Sequence, residues 1–247
     1  MNVYRGESVA ILRADPDLAE LLSPDEREEA EELLYADTVS LEPGVWKPGE
    51  TWTPANAPSV GLLVCEGLVT REVVVAGRTS SELLGPSDLL RPWDQDGDVG
   101  LMPVQVHWQV LHSTDIAVLD RNFLLAASRW PALLETLLSR TLRRARWLAF
   151  QVGMKQITRV EGRVLVLFWA LSERWGIVTT RGVHLRLPLT HETIGRLVGA
   201  RRPSVTTALG ALREAGALER MQDGYLLFGD AAEALRRAAG EVDRPAA

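Results

Sequence analysis

The spacing of apolar and polar positions changes several times along the chain. The first 35 residues read as helix: Asp15-Pro16 and Ser23-Pro24 each put a capping side chain just before a proline suited to a first helical turn. The second pair opens an acidic run, Asp25 to Glu32, that closes on Leu33-Leu34. From Asp37 to Asp120 short β-rich runs alternate with glycine and proline: Val60–Cys65, Leu68–Val75, Val104–Leu111 and Ile116–Leu119. Glu66-Gly67 and Ala76-Gly77-Arg78 sit between runs as turn signals. Several short strands spaced by roughly 8–12 residues predict a small antiparallel roll or sandwich. Leu84–Leu101 is rich in turn residues and is its expected loop region.

Beyond this region the period becomes helical. Arg121–Ser128 predicts a short helix, and Pro131 starts a long one reaching about Ile157. Leu134, Leu138, Thr141, Ala145, Leu148 and Val152 recur at alternating steps of four and three, the rhythm of a coiled-coil seam. An amphipathic helix packed on its own domain gives a similar stripe. Arg140, Arg143, Arg144 and Arg146 beside the stripe favour a dimer helix. Val160–Trp175 is apolar nearly all round and predicts a buried helix. Ile177–Thr180 and Val183–Leu187 then form a hairpin around Arg181-Gly182, and the alanine-rich tail after Asp230 forms a last short helix.

Residues 188–228 hold the most specific pattern. Thr190 caps a helix with Thr193 at its third position and Ile194, Leu197 and Val198 on its apolar face; Gly199 ends it. Arg201 and Arg202 precede Pro203, which suits a second helix start, and Val205, Leu209 and Leu212 form that helix's stripe. Gly216 stops it, and Asp223-Gly224 joins two short strands. Helix, glycine turn, helix and hairpin make a winged helix-turn-helix. The first turn of the second helix would enter the major groove of double-stranded DNA, where Arg201, Arg202, Ser204, Thr206 and Thr207 present groups able to meet bases or phosphates. Val205 faces inward. The free N–H groups at both helix starts, the first capped by Thr190, also suit phosphate oxygens. The bland alternative is a three-helix cap of an unrelated domain, which needs no acid-free face.

Charge decides between these. The formal net charge of −6 argues weakly against a nucleic-acid partner, yet its distribution does not. Residues 1–138 hold nine basic and 23 acidic side chains, whereas residues 139–213 hold 14 basic and three acidic. A nearly acid-free block inside an acidic chain is the footprint expected of a polyanion contact.

At this point the chain resembles the cyclic-AMP receptor protein/fumarate-nitrate regulator (CRP/FNR) family of bacterial transcription regulators. The match is closest over Leu189–Leu218 (LTHETIGRLVGARRPSVTTALGALREAGAL) and extends to Glu161-Gly162-Arg163. The resemblance implies an α+β fold: an N-terminal antiparallel β-roll sensor over residues 1–130, a dimerisation helix over 131–157, and a winged helix-turn-helix over 158–247. It also implies a homodimer that binds DNA and can act on RNA polymerase. Arg202 falls on the arginine that family members use to read guanine. Pro203 and Thr207 replace a glutamate and an arginine, so the usual target sequence is not implied.

The sensor half matches only in shape. A cyclic-nucleotide pocket in this family needs a Phe-Gly-Glu segment and an Arg-Ser pair; here Leu90-Arg91-Pro92-Trp93 and Val104-Gln105 stand there, with Leu148 and Ala149 at the adenine-contacting positions. A cyclic phosphate would lose its main charge-assisted bonds, so cyclic AMP and cyclic GMP are not expected as effectors. Arg91 could receive another anion, with Trp93 and Trp108 lining an apolar pocket. The alternative makes the tryptophans core and Arg91 a loop brace.

Other chemistries find little support. One cysteine, Cys65, excludes a disulfide framework and thiolate-built metal sites. His107, His112, His184 and His191 are scattered; the first two are five apart on a predicted strand and face opposite ways, and His191 has an ordinary solvent-facing place in a first helical turn. Neither a nucleophile elbow nor a phosphate-cradling loop occurs, and no cofactor is expected. The competing function is a metal- or metabolite-binding β-roll, or an enzyme, that uses its helical half only to dimerise. Acids stand where a secretory leader would be apolar, and no apolar run reaches the roughly 18–20 residues of a membrane span, so a cytoplasmic protein is expected.

Overall fold

Two compact units, Met1–Arg146 and Trp147–Ala247, make up the computed structural model, which describes residues 3–53, 55–94 and 104–240. The first unit begins with a strand, β1 (Val3–Ala10), where helix was expected. Val9 and Ala10 pair with Ala36 and Tyr35 of β2 (Tyr35–Leu41), so a partner distant in sequence decides the conformation. Between them lie α1 (Ile11–Ala14), a 3-10 turn at Pro16–Ala19, and α2 (Pro24–Leu33). Ser23 and Glu26 form the reciprocal capping box that starts α2. Asp15 makes no cap bond, because its carboxylate is engaged elsewhere.

The sheet continues with β3 (Gly44–Trp46), β4 (Gly61–Val75), β5 (Arg78–Leu84), β6 (Leu89–Leu90) and β7 (Gln105–Leu119). The main path runs β1-β2-β7-β4-β5, with β3 on β7 and β6 on β4, all antiparallel. Two expected breaks are absent. Glu66-Gly67 does not turn the chain; β4 passes through it with shifts of register against β7. Gly67 has φ +91°, and a Cβ there would lie 2.3 Å from the Ser113 carbonyl oxygen, so glycine permits a bulge in one long strand. The opposing segment around His112–Asp115 likewise stays extended in β7. Ala76-Gly77 is a true two-residue hairpin turn: Val75 pairs with Arg78, and both turn residues have positive φ (49° and 71°). Of the expected Leu84–Leu101 loop, the part after Asp94 lies outside the described residues.

Alternation along the sheet separates two apolar clusters. Leu62, Val64 and Ile116 join Trp46, Trp52, Trp93 and Trp108 inside the roll. Leu63 and Ala117 face the other way, against Ile11, Leu12, Phe123 and Trp130. That double coverage explains why Val60–Cys65 reads as an unbroken apolar run. Within the roll, Trp46 meets Trp108 edge-on at 5.5 Å between ring centroids. Cys65 is half-buried, and burial pushes its thiol up to about 11.

After α3 (Arg121–Ala127), capped by Asp120, comes α4 (Pro131–Met154), which contributes to both units. Leu133 and Leu137 belong to the helical cluster, with Leu134 partly buried against it. Leu138, Leu142, Leu148 and Val152 are exposed, by 60%, 55%, 37% and 65%. The expected seam is thus uncovered in a single chain from Leu138 onward. The charged flank needs correction. Arg140 and Arg144 are not solvent-facing: Arg140 is buried in a two-point ion pair with Asp15, its Nη2 2.8 Å from Oδ1. Arg144 grips Glu82 at 2.7 and 2.8 Å, and Arg71 stands 3.6 Å from the same carboxylate. Only Arg143 and Arg146 of the four stay exposed.

In the second unit α5 (Val160–Trp175) is buried over most of its length, as its all-round apolarity predicts. β8 (Gly176–Thr179) and β9 (Gly182–Leu185) follow, then α6 (His191–Val198), α7 (Arg202–Glu214), β10 (Leu218–Met221), β11 (Gly224–Leu227) and α8 (Ala231–Ala238). The four strands form one antiparallel sheet in the order β10-β11-β9-β8. The hairpin turn falls at Gln222-Asp223, one residue earlier than expected, because Met221 pairs with Gly224. Phe168 of α5 packs on Tyr225 of β11 at 4.5 Å, and α8 lies on α5 where Gly162 leaves room for Ala238. Among the described residues no helix is long and apolar enough to cross a membrane.

Breaking one half of the Asp15–Arg140 pair strands a buried charge. Arg140→Ala should cost the first unit about 3–5 kcal/mol, read as a shift in its urea unfolding midpoint, while Arg140→Met with Asp15→Leu should recover most of it.

Candidate nucleic-acid interface

Local sequence builds the reading head from its turn outward. Thr190 starts α6: its Oγ1 accepts the Thr193 N–H at 3.1 Å. Gly199 ends the helix in the left-handed region at φ 66°, and the Ala200 N–H returns to the Gly195 carbonyl at 2.8 Å. Arg163, in the first turn of α5, donates to the Val198 and Gly199 carbonyls at 2.9 and 3.2 Å, satisfying the end of α6. Only Gly199, Ala200 and Arg201 separate α6 from α7.

On α7 the inward stripe is Val205, Ala208, Leu209 and Leu212, all buried. Arg201, the residue before α7, and Arg202, Ser204, Thr206 and Thr207 on its first two turns are all exposed. Two hydroxyls are already committed: Thr206 Oγ1 donates to the Arg202 carbonyl at 3.1 Å, and Thr207 Oγ1 to the Pro203 carbonyl at 3.2 Å. What these threonines show outward is therefore methyl groups and oxygen lone pairs, while Arg202 keeps a donor fork. Thr190, His191, Glu192 and Arg202 line an open cleft of about 410 Å³ at the starts of the two helices.

Sequence reasoning passed over two members of this surface. His191 is half-buried and not simply solvent-facing: its Nδ1 lies 2.9 Å from Thr206 Oγ1, across the turn. Burial, with the charges of Arg220 and Arg202, holds its pKa below the usual imidazole value. Arg220, on β10, lays its guanidinium over the Tyr225 ring at 4.5 Å. In the sequence Arg220 falls in a segment of net acidic charge, and its nearness to His191 arises only when the hairpin folds back.

The residues proposed for a ligand lie in the first unit. Arg91 donates to the Ser59 and Val60 carbonyls at 2.9 and 3.0 Å and pairs with Asp94. Its guanidinium also stands 5.5 Å from the Trp93 ring centre. Trp93 is only 6% exposed, within the roll's core beside Trp108. Both therefore occupy bracing and packing positions. His107 and His112 are exposed on β7, and among the described residues no three His, Cys, Asp or Glu side chains gather into a possible metal site.

Residues 162–237 match the Crp-like helix-turn-helix domain. The second unit carries a Crp-like helix-turn-helix domain. Over most of its length the chain also shares its fold with solved structures. A mutant of CooA from Carboxydothermus hydrogenoformans superposes with a TM-score of 0.62 at 18% identity, over 81% of this chain and 87% of that one. FixK2 from Bradyrhizobium japonicum gives 0.57 at 17% identity, over 86% and 99%. CLP of Xanthomonas campestris, a c-di-GMP responsive global regulator, gives 0.52 at 16% identity, over 78% and 94%. No curated protein matches the sequence. The α+β architecture thus holds for the chain, and the family resemblance holds at the helix-turn-helix domain of residues 162–237.

The turn of this Crp-like domain tolerates little. A Cβ on Gly195 would lie 2.6 Å from the Ala200 carbonyl oxygen, a backbone atom that cannot swing away. Gly195→Ala is expected to destabilise the domain by about 1–3 kcal/mol, visible as a lowered melting temperature.

Proposed function

We propose that the protein is a sequence-specific, homodimeric DNA-binding regulator that works without cyclic AMP or cyclic GMP. The observation that carries the DNA reading is the first two turns of α7. Its apolar side is buried on the domain core, while the cations Arg201 and Arg202 and the side chains of Ser204, Thr206 and Thr207 stay exposed. Arg202 offers a guanidinium fork suited to the O6 and N7 of guanine, and Arg201 a phosphate contact. The free N–H groups behind Thr190 add a second phosphate contact.

Dimerisation rests on α4. A helix that exposes leucine and valine at coiled-coil spacing leaves apolar area uncovered, and a second copy covers it most simply because the stripe is self-complementary about a dyad. Two α7 helices would then meet half-sites about one helical turn, roughly 34 Å, apart. RNA polymerase is the partner through which such a regulator acts, and the cytoplasm is its compartment. Independence from cyclic nucleotides is supported by Arg91, whose donors are turned to the chain's own carbonyls and Asp94, and by Trp93, which is core.

Two experiments bear on these points. Arg202→Ala should lose about 1–3 kcal/mol of affinity for the selected site and relax the preference at one base pair per half-site. Selection of bound duplexes followed by anisotropy titration measures both; unchanged affinity and preference would remove Arg202 from the role. Leu138→Glu with Val152→Glu should convert a dimer into a monomer in sedimentation equilibrium. A parent protein that sediments as a monomer would refute the dimer.

A further inference from the structure

We propose that His191 clamps a DNA backbone phosphate through its Nε2, and that it does so only as the imidazolium, so that DNA binding takes up a proton. The inference deepens the DNA-binding reading above and rests on it. Hydrogen bookkeeping at Thr206 carries it. A threonine hydroxyl has one hydrogen, and that of Thr206 goes to the Arg202 carbonyl one turn back at 3.1 Å. Both contacts are hydrogen bonds only if Thr206 Oγ1 accepts at its other one, the 2.9 Å approach of His191 Nδ1, which assigns the ring proton to Nδ1. In the neutral ring Nε2 is left as a bare lone pair, which repels a phosphate oxygen. A second proton turns Nε2 into a donor and the ring into a cation.

The surroundings make that proton conditional on a polyanion. The charged groups around the ring are Arg202 from α7, Arg220 from β10 and Glu192 from its own helix. Glu192 is paired with Arg196 at 2.6 Å. Tyr225, under Arg220, is buried. Partial burial and two cations disfavour the imidazolium in the free protein. A phosphate drawn into the cleft by those same cations cancels their effect and favours the imidazolium. By linkage, DNA affinity then falls as pH rises between the free and bound titration points of the ring, by up to about tenfold per pH unit for one proton. Outside that window affinity is flat.

The test is anisotropy titration of a mixed-sequence duplex, long enough for two half-sites, at fixed low ionic strength from about pH 5.5 to about pH 8. A mixed sequence isolates the phosphate contact from base reading. The parent should bind more tightly on acidification, and His191→Gln should lose that slope. Thr206→Val, which removes the acceptor that fixes the Nδ1 proton, should reduce it. NMR of the parent's ring should show an Nδ1–H tautomer and a pKa that rises on adding duplex. If His191→Gln keeps the parent's slope, or the ring pKa does not move with DNA, the proton clamp is wrong while the DNA-binding reading stands. If the parent ignores the duplex at every pH, both fall together.

Discussion

The buried pairing of α4 with the β-roll governs how this protein presents its surfaces. An arginine stem is long enough to reach from a helix into a neighbouring buried element, and its charge cannot be left there alone. Asp15 answers Arg140, and Glu82 answers Arg144 in a second clamp one turn further on. The two arginines lie four apart, so both clamps act on one face of the helix. That fixes the helix about its own axis. Leu133 and Leu137 go to the core, and the stripe from Leu138 to Val152 is left facing out. A hydrophobic contact alone would not have chosen between the two faces, since both are apolar. Charge supplied the choice.

The same economy of polar groups shapes the Crp-like domain. The Gly195 carbonyl receives the turn's N–H groups, Arg163 closes the carbonyl end of α6, and Thr206 and Thr207 return their hydroxyl protons to α7. With those groups satisfied internally, the outward face of the turn and of α7 is left with arginine side chains, threonine methyl groups and the ring of His191. The first unit shows the converse: tryptophans fill its interior, and Arg91 is spent on the Ser59 and Val60 carbonyls and Asp94.

Much of this was legible from residue order because it depends on local rules. Capping at Ser23 and Thr190, the glycine stops at Gly199 and Gly216, the all-round apolarity of Val160–Trp175, and the hairpin at Arg181 all depend on neighbours within a few positions. The exposed face of α7 followed from the same periodicity. What failed did so for one physical reason. Strand β1 has no local signature strong enough to compete with helix, and it forms because β2 offers it a ladder. Glu66-Gly67 has turn chemistry, but β7 holds the chain extended and converts the glycine into a bulge.

Charge was the least legible quantity. In the sequence Arg140 and Arg144 count toward a basic block, yet the fold neutralises both with acids more than 50 residues away; Arg220 counts toward an acidic tail, yet the fold brings it to His191. Residue order alone determined the elements of the second unit, their sequence and the arginine-bearing face of the second helix of its helix-turn-helix, since hydrophobic periodicity and caps act over one or two turns. Only tertiary structure decided which cations are paired with acids, which face of the long helix is bare and which side chain His191 meets, because Coulomb pairs and hydrogen bonds are settled between groups that meet in space.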